Sequence, residues 1–548
     1  MIDGSADPID AATLIEQGGA ALDAAHRLLA AFRRGAADPD APAAQFREHG
    51  FAWAAAYVAT LEVTVDWARR LNEEGRLGVL ERRIASAGLA EYLAQLGHGI
   101  AMSQDEIVRP AHLEADADAR AFLETPPVAT LVREASLRAQ MHAIVALLGG
   151  GSGFGDAGYD ETHAEIAQQF RRFADEQIAP FADQWHGANQ LIPDDVVAQM
   201  AGLGVFGLTV PEDDGGSGLG KVAMCVVTEE LSRGYLGVGS LGTRSEIACE
   251  LILHNGTDAQ RARWLRAIAT GEVLPTAVFT EPGSGSDLAS LKTRATRRDG
   301  PGGQSFEIHG AKTWITHASR SDLMTLLARS LPDAPRHQGL TMFLVPKPRG
   351  TADEPFPVKG LSGSEIDVLG YRGMKEYELA FDGFALDADA VLGGVEGQGF
   401  RQLMKTFESA RIQTAARALG VAQNALELGY RYACERQQFG RPLIGFDRIA
   451  GKVAQAVVEI MMIRQLVLAA ARRKDEGRRC DVEAGMAKLL GARLAWSAAD
   501  NALQIHGGNG YALEYPISRV LCDARILNIF EGAAEIQAGI IARGLLAG

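Results

Sequence analysis

Residues 276 to 392 alternate apolar and polar side chains in twos, whereas the chain on either side repeats them in threes and fours. A period of two suits a strand with one buried face, and a period near 3.6 suits a helix. No single kind of element can therefore run through this chain. Ser305-Phe306-Glu307-Ile308-His309, Leu340 to Val345 and Tyr377 to Phe381 are the clearest strand segments, separated by glycine, proline and aspartate turns. The order expected is helical, then a small β domain, then helical: an α+β chain, mostly α. At 548 residues it is too long for one core.

Residues 1–148 are expected to form an N-terminal helical extension. Ala11 to Arg34, Phe46 to Glu74 and Leu131 to Leu148 carry amphipathic spacing, and nothing there alternates like a strand. Phe46, Phe51, Trp53, Tyr57 and Trp67 are expected in its core, and His98 and His112 as structural or surface residues. Residues 149–159 are glycine-rich and contain a formal G-x-G-x-x-G at Gly153, Gly155 and Gly158. A dinucleotide site needs a strand just before that motif. A helical run ending at Leu148 precedes it instead, so the segment is expected to be a flexible linker. A helical domain follows over 160–275, opened by a capping box at Thr162 and Glu165. The β domain covers 276–392. A C-terminal bundle covers 393–548, with helices over Phe400 to Tyr432, Ala450 to Lys474 and Asp481 to Gln504.

The formal net charge of -15 argues against a nucleic-acid partner. Cys225, Cys249, Cys434, Cys480 and Cys522 are scattered, with neither a metal-ligand spacing nor a disulfide framework. No metal is expected. The acidic start carries no basic, apolar leader, and the apolar run Ile460 to Ala471 is interrupted by Arg464 and Gln465. A cytoplasmic protein that does not cross a membrane is the expectation.

Five short runs carry chemistry. Ile529-Phe530-Glu531-Gly532 sets one carboxylate between bulky apolar residues and a glycine, an arrangement suited to a desolvated general base. Gln504-Ile505-His506-Gly507-Gly508-Asn509-Gly510 joins a helix to a turn that a ligand can approach closely. Phe279-Thr280-Glu281-Pro282-Gly283-Ser284-Gly285-Ser286-Asp287 and Lys312-Thr313-Trp314-Ile315-Thr316 offer hydroxyls, amides and an aromatic to a planar heterocycle. Glu435-Arg436-Gln437-Gln438-Phe439-Gly440 places a cation and a ring at a helix end, suited to a phosphate and a stacked base. Each run alone also reads as ordinary punctuation between elements.

Taken together and in this order, the runs resemble those of the acyl-CoA dehydrogenases from about residue 160 to 548. The resemblance implies a helical domain, a β domain and a C-terminal four-helix bundle, with the N-terminal extension as an addition. It implies FAD, an acyl-CoA substrate and an electron-transferring flavoprotein as electron acceptor. Phe279, Thr280, Trp314 and Thr316 would line the flavin ring. Ser286 would lie on the pyrophosphate side of FAD and CoA. Arg436, Phe439, Gln504 and Gly508 would meet the adenosine and pyrophosphate portion from a neighbouring subunit. A homo-oligomer follows, either a dimer or a dimer of dimers.

Glu531 matches the family's catalytic base, with Gly532 beside it at the substrate. The family's other base position is Ala410 here, ahead of Arg411. Ala533 and Ala534 stand where threonine and serine are common, and His317 where asparagine is frequent. Together with the resemblance, the long extension points to a short branched substrate with a free carboxylate. Arg244 is the candidate cation for it, with Arg233 as runner-up. A dehydrogenase for another short branched acyl-CoA, an acyl-CoA oxidase and a non-catalytic binding protein of the same fold stay open.

Overall fold

The computed structural model describes residues 8–40, 42–149, 153–300 and 303–547. They form two compact units, Met1–Glu165 with Thr414–Gly548, and Ile166–Gln413.

The first unit joins the N-terminal extension to the C-terminal helices. Its early helices are Ala11–Ala36, Ala44–Glu73, Val79–His98, Asp116–Glu124, Pro126–Glu134 and Leu137–Gly149. The run expected as one helix over Leu131 to Leu148 is thus two, parted at Ala135 and Ser136. Among the described residues of this block, a short ribbon, Ile100–Ala101 with Ile107–Val108, is the one piece of strand. Phe51, Trp53, Tyr57 and Trp67 lie in the core as expected, and Phe46 is half-buried.

The extension fuses with the C-terminal helices because its helices are apolar on more than one face. A Cβ at Gly88 would fall 2.2 Å from the Met462 sulfur, so glycine lets Val79–His98 lie directly on Asp447–Asp475. Arg493, from the helix Asp481–His506, donates to Tyr57 Oη at 2.7 Å, to the Ala101 carbonyl at 3.1 Å and to Glu459 at 2.9 Å. Among the described residues, Asp447–Asp475 alone is long and apolar enough to cross a membrane, but 83% of its apolar stretch is buried inside the protein. Arg464 and Gln465 within it are buried too, so charge did not shorten this helix.

The described part of the glycine-rich segment is pinned, contrary to the expectation of a free tether. Arg76 grips both Asp156 carboxylate oxygens, at 3.0 and 2.7 Å. Trp67 donates to the Asp156 carbonyl at 3.1 Å, and Gln465 to that of Ala157 at 3.0 Å. The helix preceding it, Leu137–Gly149, removes the dinucleotide reading. The next helix starts at Glu161, one residue before Thr162. Its cap is Asp160, which accepts from the His163 amide at 2.9 Å, so the Thr162 capping box does not form.

The second unit stacks helices on a seven-stranded sheet. Its strands run in the order Pro275–Val278, Leu323–Arg329, Arg294–Gly300, Gly303–Thr316, Glu376–Asp387 and Leu361–Ile366, with Leu340–Pro346 also paired to Leu323–Arg329. Alternate residues face opposite ways: Leu323 and Leu327 join the core under the helices Leu236–Asn255 and Asp258–Ala269, while Met324 and Leu326 join the core on the other face. Both faces are covered, so this strand carries apolar residues on each, interrupted by Thr325 and ending at Arg329. Gly303–Thr316 slips register between Lys312 and Ile315. That bulge carries Trp314 out of the ladder at φ 59°.

Candidate active site

Glu531 lies in the turn between the helices Pro516–Ile526 and Ala534–Leu546. Glu531 (φ 53°) and Gly532 (φ 95°) are consecutive left-handed residues, a conformation that costs a non-glycine residue about 1 kcal/mol or more. Two buried side chains hold the turn. Gln537 donates to the carbonyls of Glu531 and Gly532 at 3.1 and 3.2 Å, and Lys488 donates to that of Gly532 at 2.6 Å. A Cβ at position 532 would sit 2.1 Å from the Gln537 amide nitrogen, so the turn requires glycine there.

The Glu531 carboxylate meets a cation where the sequence suggested an apolar surround. Arg417 Nη2 is 2.8 Å from its Oε2, and the Thr414 hydroxyl donates to the same oxygen. Arg417 also donates to Thr414 Oγ1 at 2.6 Å and lies 4.7 Å over the Phe530 ring. Its guanidinium is fully buried, while the Glu531 side chain keeps 14% exposure. Apolar neighbours alone had suggested desolvation as the controlling influence; contact with a guanidinium favours the ionised form instead.

Farther along this unit, the helix Gly399–Glu435 ends beside a short ribbon, Gln437–Gln438 with Arg441–Pro442. Arg436 and Gln504 are exposed, and Phe439 is 92% exposed. Side chains near them are interlocked: His506 stacks on Tyr432 at 4.2 Å, and Asn509 donates to the hydroxyls of Tyr432 and Tyr515 at 3.0 and 2.9 Å.

In the second unit, the run containing Phe279 and the run containing Trp314 are laced together. Thr280 donates to the Thr313 carbonyl at 2.5 Å, and the Thr313 amide returns a bond to the Thr280 carbonyl at 3.0 Å. Lys312 donates to the Phe279 carbonyl at 2.8 Å and to Glu281 at 3.2 Å. Burial lowers the Lys312 ammonium to about 8 against the opposing pull of Glu281. Lys312 and Glu281 were missed as site-building residues, since a lysine and a glutamate in sequence read as surface.

Thr316 is buried, and its hydroxyl donates to Glu376 at 3.1 Å. The hydroxyl protons of Thr280 and Thr316 are therefore both directed to protein acceptors. What these residues offer a ligand is oxygen lone pairs and backbone. Glu376, also unforeseen, is fully buried. Desolvation lifts its carboxyl to about 7, with the Thr316 hydrogen bond and the Arg244 charge pulling the other way. Arg244 sits on Leu236–Asn255, which is buried on every face as far as Ile252. His317 is buried, and among the described residues neither ring nitrogen has a hydrogen-bond partner. Its burial, reinforced by Arg320, Arg349, Arg244 and Lys347, keeps the imidazole neutral. Arg233, the runner-up, is buried and pairs with Asp175 at 2.7 Å and Glu230 at 3.0 Å.

The residues present fit a large, flat, phosphate-bearing cofactor. A Cβ at Gly283, Gly285 or Gly508 would meet nothing, and none of the three has a positive φ. Neither packing nor backbone strain explains glycine there, whereas close approach of a ligand does. Exposed Ser286 follows Gly285, and Trp314, at 58% exposure, presents an unpacked ring.

Residues 160–272, 276–384 and 397–546 match the N-terminal, middle and C-terminal domains of acyl-CoA dehydrogenase. The chain is 59% identical over 507 residues to (2S)-methylsuccinyl-CoA dehydrogenase of Cereibacter sphaeroides, covering 92% of this chain and 91% of that protein. Such an alignment is longer than the part from residue 160 onward, so it reaches into the N-terminal extension. Butyryl-CoA dehydrogenase of Megasphaera elsdenii matches with a TM-score of 0.66 at 29% identity, over 71% of this chain and 99% of that one. A glutaryl-CoA dehydrogenase in complex with glutaryl-CoA gives a TM-score of 0.66 at 30% identity, over 71% and 96%. With all three domains matched in order, the chain belongs to the acyl-CoA dehydrogenase family and is an FAD-dependent oxidoreductase of acyl-CoA thioesters.

Proposed function

We propose that this enzyme oxidises (2S)-methylsuccinyl-CoA to mesaconyl-CoA, a step of the ethylmalonyl-CoA pathway, with Glu531 as the base. The observation that carries the reading is the identity with the Cereibacter enzyme, which extends beyond the three family domains into the extension.

Glu531 takes the α-proton of the thioester. The fixed left-handed turn sets the direction of its carboxylate, and positioning of this kind supplies much of the rate in proton transfers. The Glu531 backbone N–H donates to the thioester carbonyl, stabilising enolate-like charge as the proton leaves. Gly532 leaves room for the substrate at this point, and Ser286 contacts the CoA side. Bound FAD supplies the hydride acceptor for the β-carbon. Phe279, Thr280, Trp314 and Thr316 hold its ring, and Arg436, Phe439, Gln504 and Gly508 hold its adenosine end from a second copy of the chain. That exchange makes the enzyme a homo-oligomer, a dimer or a dimer of dimers.

Arg244 receives the free carboxylate of the substrate. Its support is a buried position whose charge already acts on Glu376 and His317. An electron-transferring flavoprotein takes the electrons onward, in the cytoplasm.

The test is anaerobic bleaching of the flavin by methylsuccinyl-, butyryl-, isobutyryl-, isovaleryl- and glutaryl-CoA. Fast bleaching by methylsuccinyl-CoA alone is expected. Preference for an uncharged acyl-CoA would discard both the substrate and the role of Arg244.

A further inference from the structure

We infer that Arg417 is the positioning residue of the base: it keeps Glu531 ionised and aimed before substrate arrives. The inference rests on Glu531 being the base. It deepens that reading by naming the group that sets its protonation.

Arg417 and Thr414 stand three residues apart on one helix and so share a face. They converge on a single atom. Arg417 Nη2 lies 2.8 Å from Glu531 Oε2, and the Thr414 hydroxyl, itself an acceptor from Arg417 at 2.6 Å, donates its own hydrogen bond to that oxygen. The guanidinium is held on a third side by the Phe530 ring at 4.7 Å, the residue next to Glu531 in sequence. One buried cation thereby fixes the carboxylate and its neighbouring side chain together.

Other charged groups on elements around the turn have partners or exposure of their own. Lys488 Nζ donates to the Gly532 carbonyl, Arg519 lies 3.5 Å from Asp523 on its own helix, and Glu535 is exposed. Arg417, fully buried, is in direct contact with the Glu531 carboxylate.

A purely structural arginine would affect stability and leave the protonation of Glu531 alone. An arginine acting through the base must move its titration. An opposite charge within about 4–6 Å lowers a carboxyl by roughly one to three pH units. Neutralising Arg417 therefore moves the acidic limb of the rate profile upward.

The experiment follows anaerobic flavin bleaching against pH in the holoenzyme for the parent, Arg417→Met, Arg417→Gln, Arg417→Lys and Glu531→Gln. In Arg417→Met and Arg417→Gln the limb is expected to rise by about one unit or more, a roughly tenfold deeper loss at low pH than at high pH. Arg417→Lys keeps the charge and should hold the limb near its parental position, with a lower plateau because an ammonium cannot serve both Thr414 and Glu531 from one plane. An unmoved limb in whichever neutral variant retains FAD overturns the inference, whatever its absolute rate. If neither retains FAD, Arg417→Lys decides it, and a shifted limb there overturns the inference. Glu531→Gln separates the two readings. If it still bleaches, the base assignment is lost; if it is silent while the Arg417 variants titrate like the parent, only the role of Arg417 is lost.

Discussion

Glu531 and Glu376 are the same side chain in opposite settings. Glu531 keeps 14% exposure and touches a buried guanidinium at 2.8 Å. Glu376 is fully buried, receives one hydroxyl at 3.1 Å and feels Arg244 through space, and its carboxyl rises to about 7. Contact with a cation favours the ionised form, which can take a proton. Burial without such contact favours the neutral form, which can only donate one. Of the two, the Glu531 setting is the one that suits the proposed base, and the chemistry open to each carboxyl is decided by its neighbours.

The largest effect that could break this contrast comes from Glu531→Gln. Removing the base should slow anaerobic bleaching by roughly 10³-fold, within the usual range for lost general-base catalysis, while FAD and acyl-CoA still bind. Stopped-flow absorbance measures it. Parental bleaching in this variant would mean that the ion-paired carboxylate is an ordinary structural one.

A smaller effect is expected at the other carboxylate's cation. Arg244→Ala should lower kcat/KM for a carboxylated acyl-CoA by roughly 100-fold, since truncating one partner of a buried charge pair costs about 2–5 kcal/mol. With a plain branched acyl-CoA, which has no carboxylate to pair, the loss should be smaller by roughly tenfold or more. Equal losses with both would take the substrate carboxylate away from Arg244.

The element types were readable because side-chain period follows directly from burial. Ser305–His309 and Tyr377–Phe381 alternate, and both lie in strands of the sheet. Glu531 was singled out by the ordered set of runs that resembles the acyl-CoA dehydrogenases, since Ile529–Gly532 alone also reads as an ordinary loop. Arg417, Lys488, Lys312 and Glu376 were not. A charged residue inside an apolar run is read as facing water, and only the folded chain shows that all four are buried. The pinning of residues 153–158 was hidden for a related reason. It depends on Arg76 and Trp67, some eighty to ninety residues away in sequence. Asp160 displaced Thr162 as a helix cap because a cap is chosen by where the chain enters the helix, and composition leaves that uncertain by a residue or two.

The subtlest test addresses Glu376 through stability alone. Its carboxyl moves from 4.5 to about 7 on folding. Between those values the folded state holds a proton that the unfolded state has released, so stability falls as pH rises through the window. The contribution is fully present below pH 4.5 and lost above about pH 7. A shift of this size corresponds to about 3 kcal/mol at most. Glu376→Gln cannot ionise and escapes the loss. Thermal unfolding of parent and variant should therefore diverge with pH, with Glu376→Gln gaining up to about 3 kcal/mol relative to the parent between roughly pH 5 and 8. A constant difference across that range would mean that Glu376 is already ionised at neutral pH. Adding Arg244→Ala to both proteins sharpens the result. Arg244 pulls the carboxyl down, so its loss should extend the window upward, and the divergence should persist to higher pH. If the window stayed in place, Arg244 would not act on Glu376, and the contrast between a carboxylate in contact with its cation and one merely near it would need another cause.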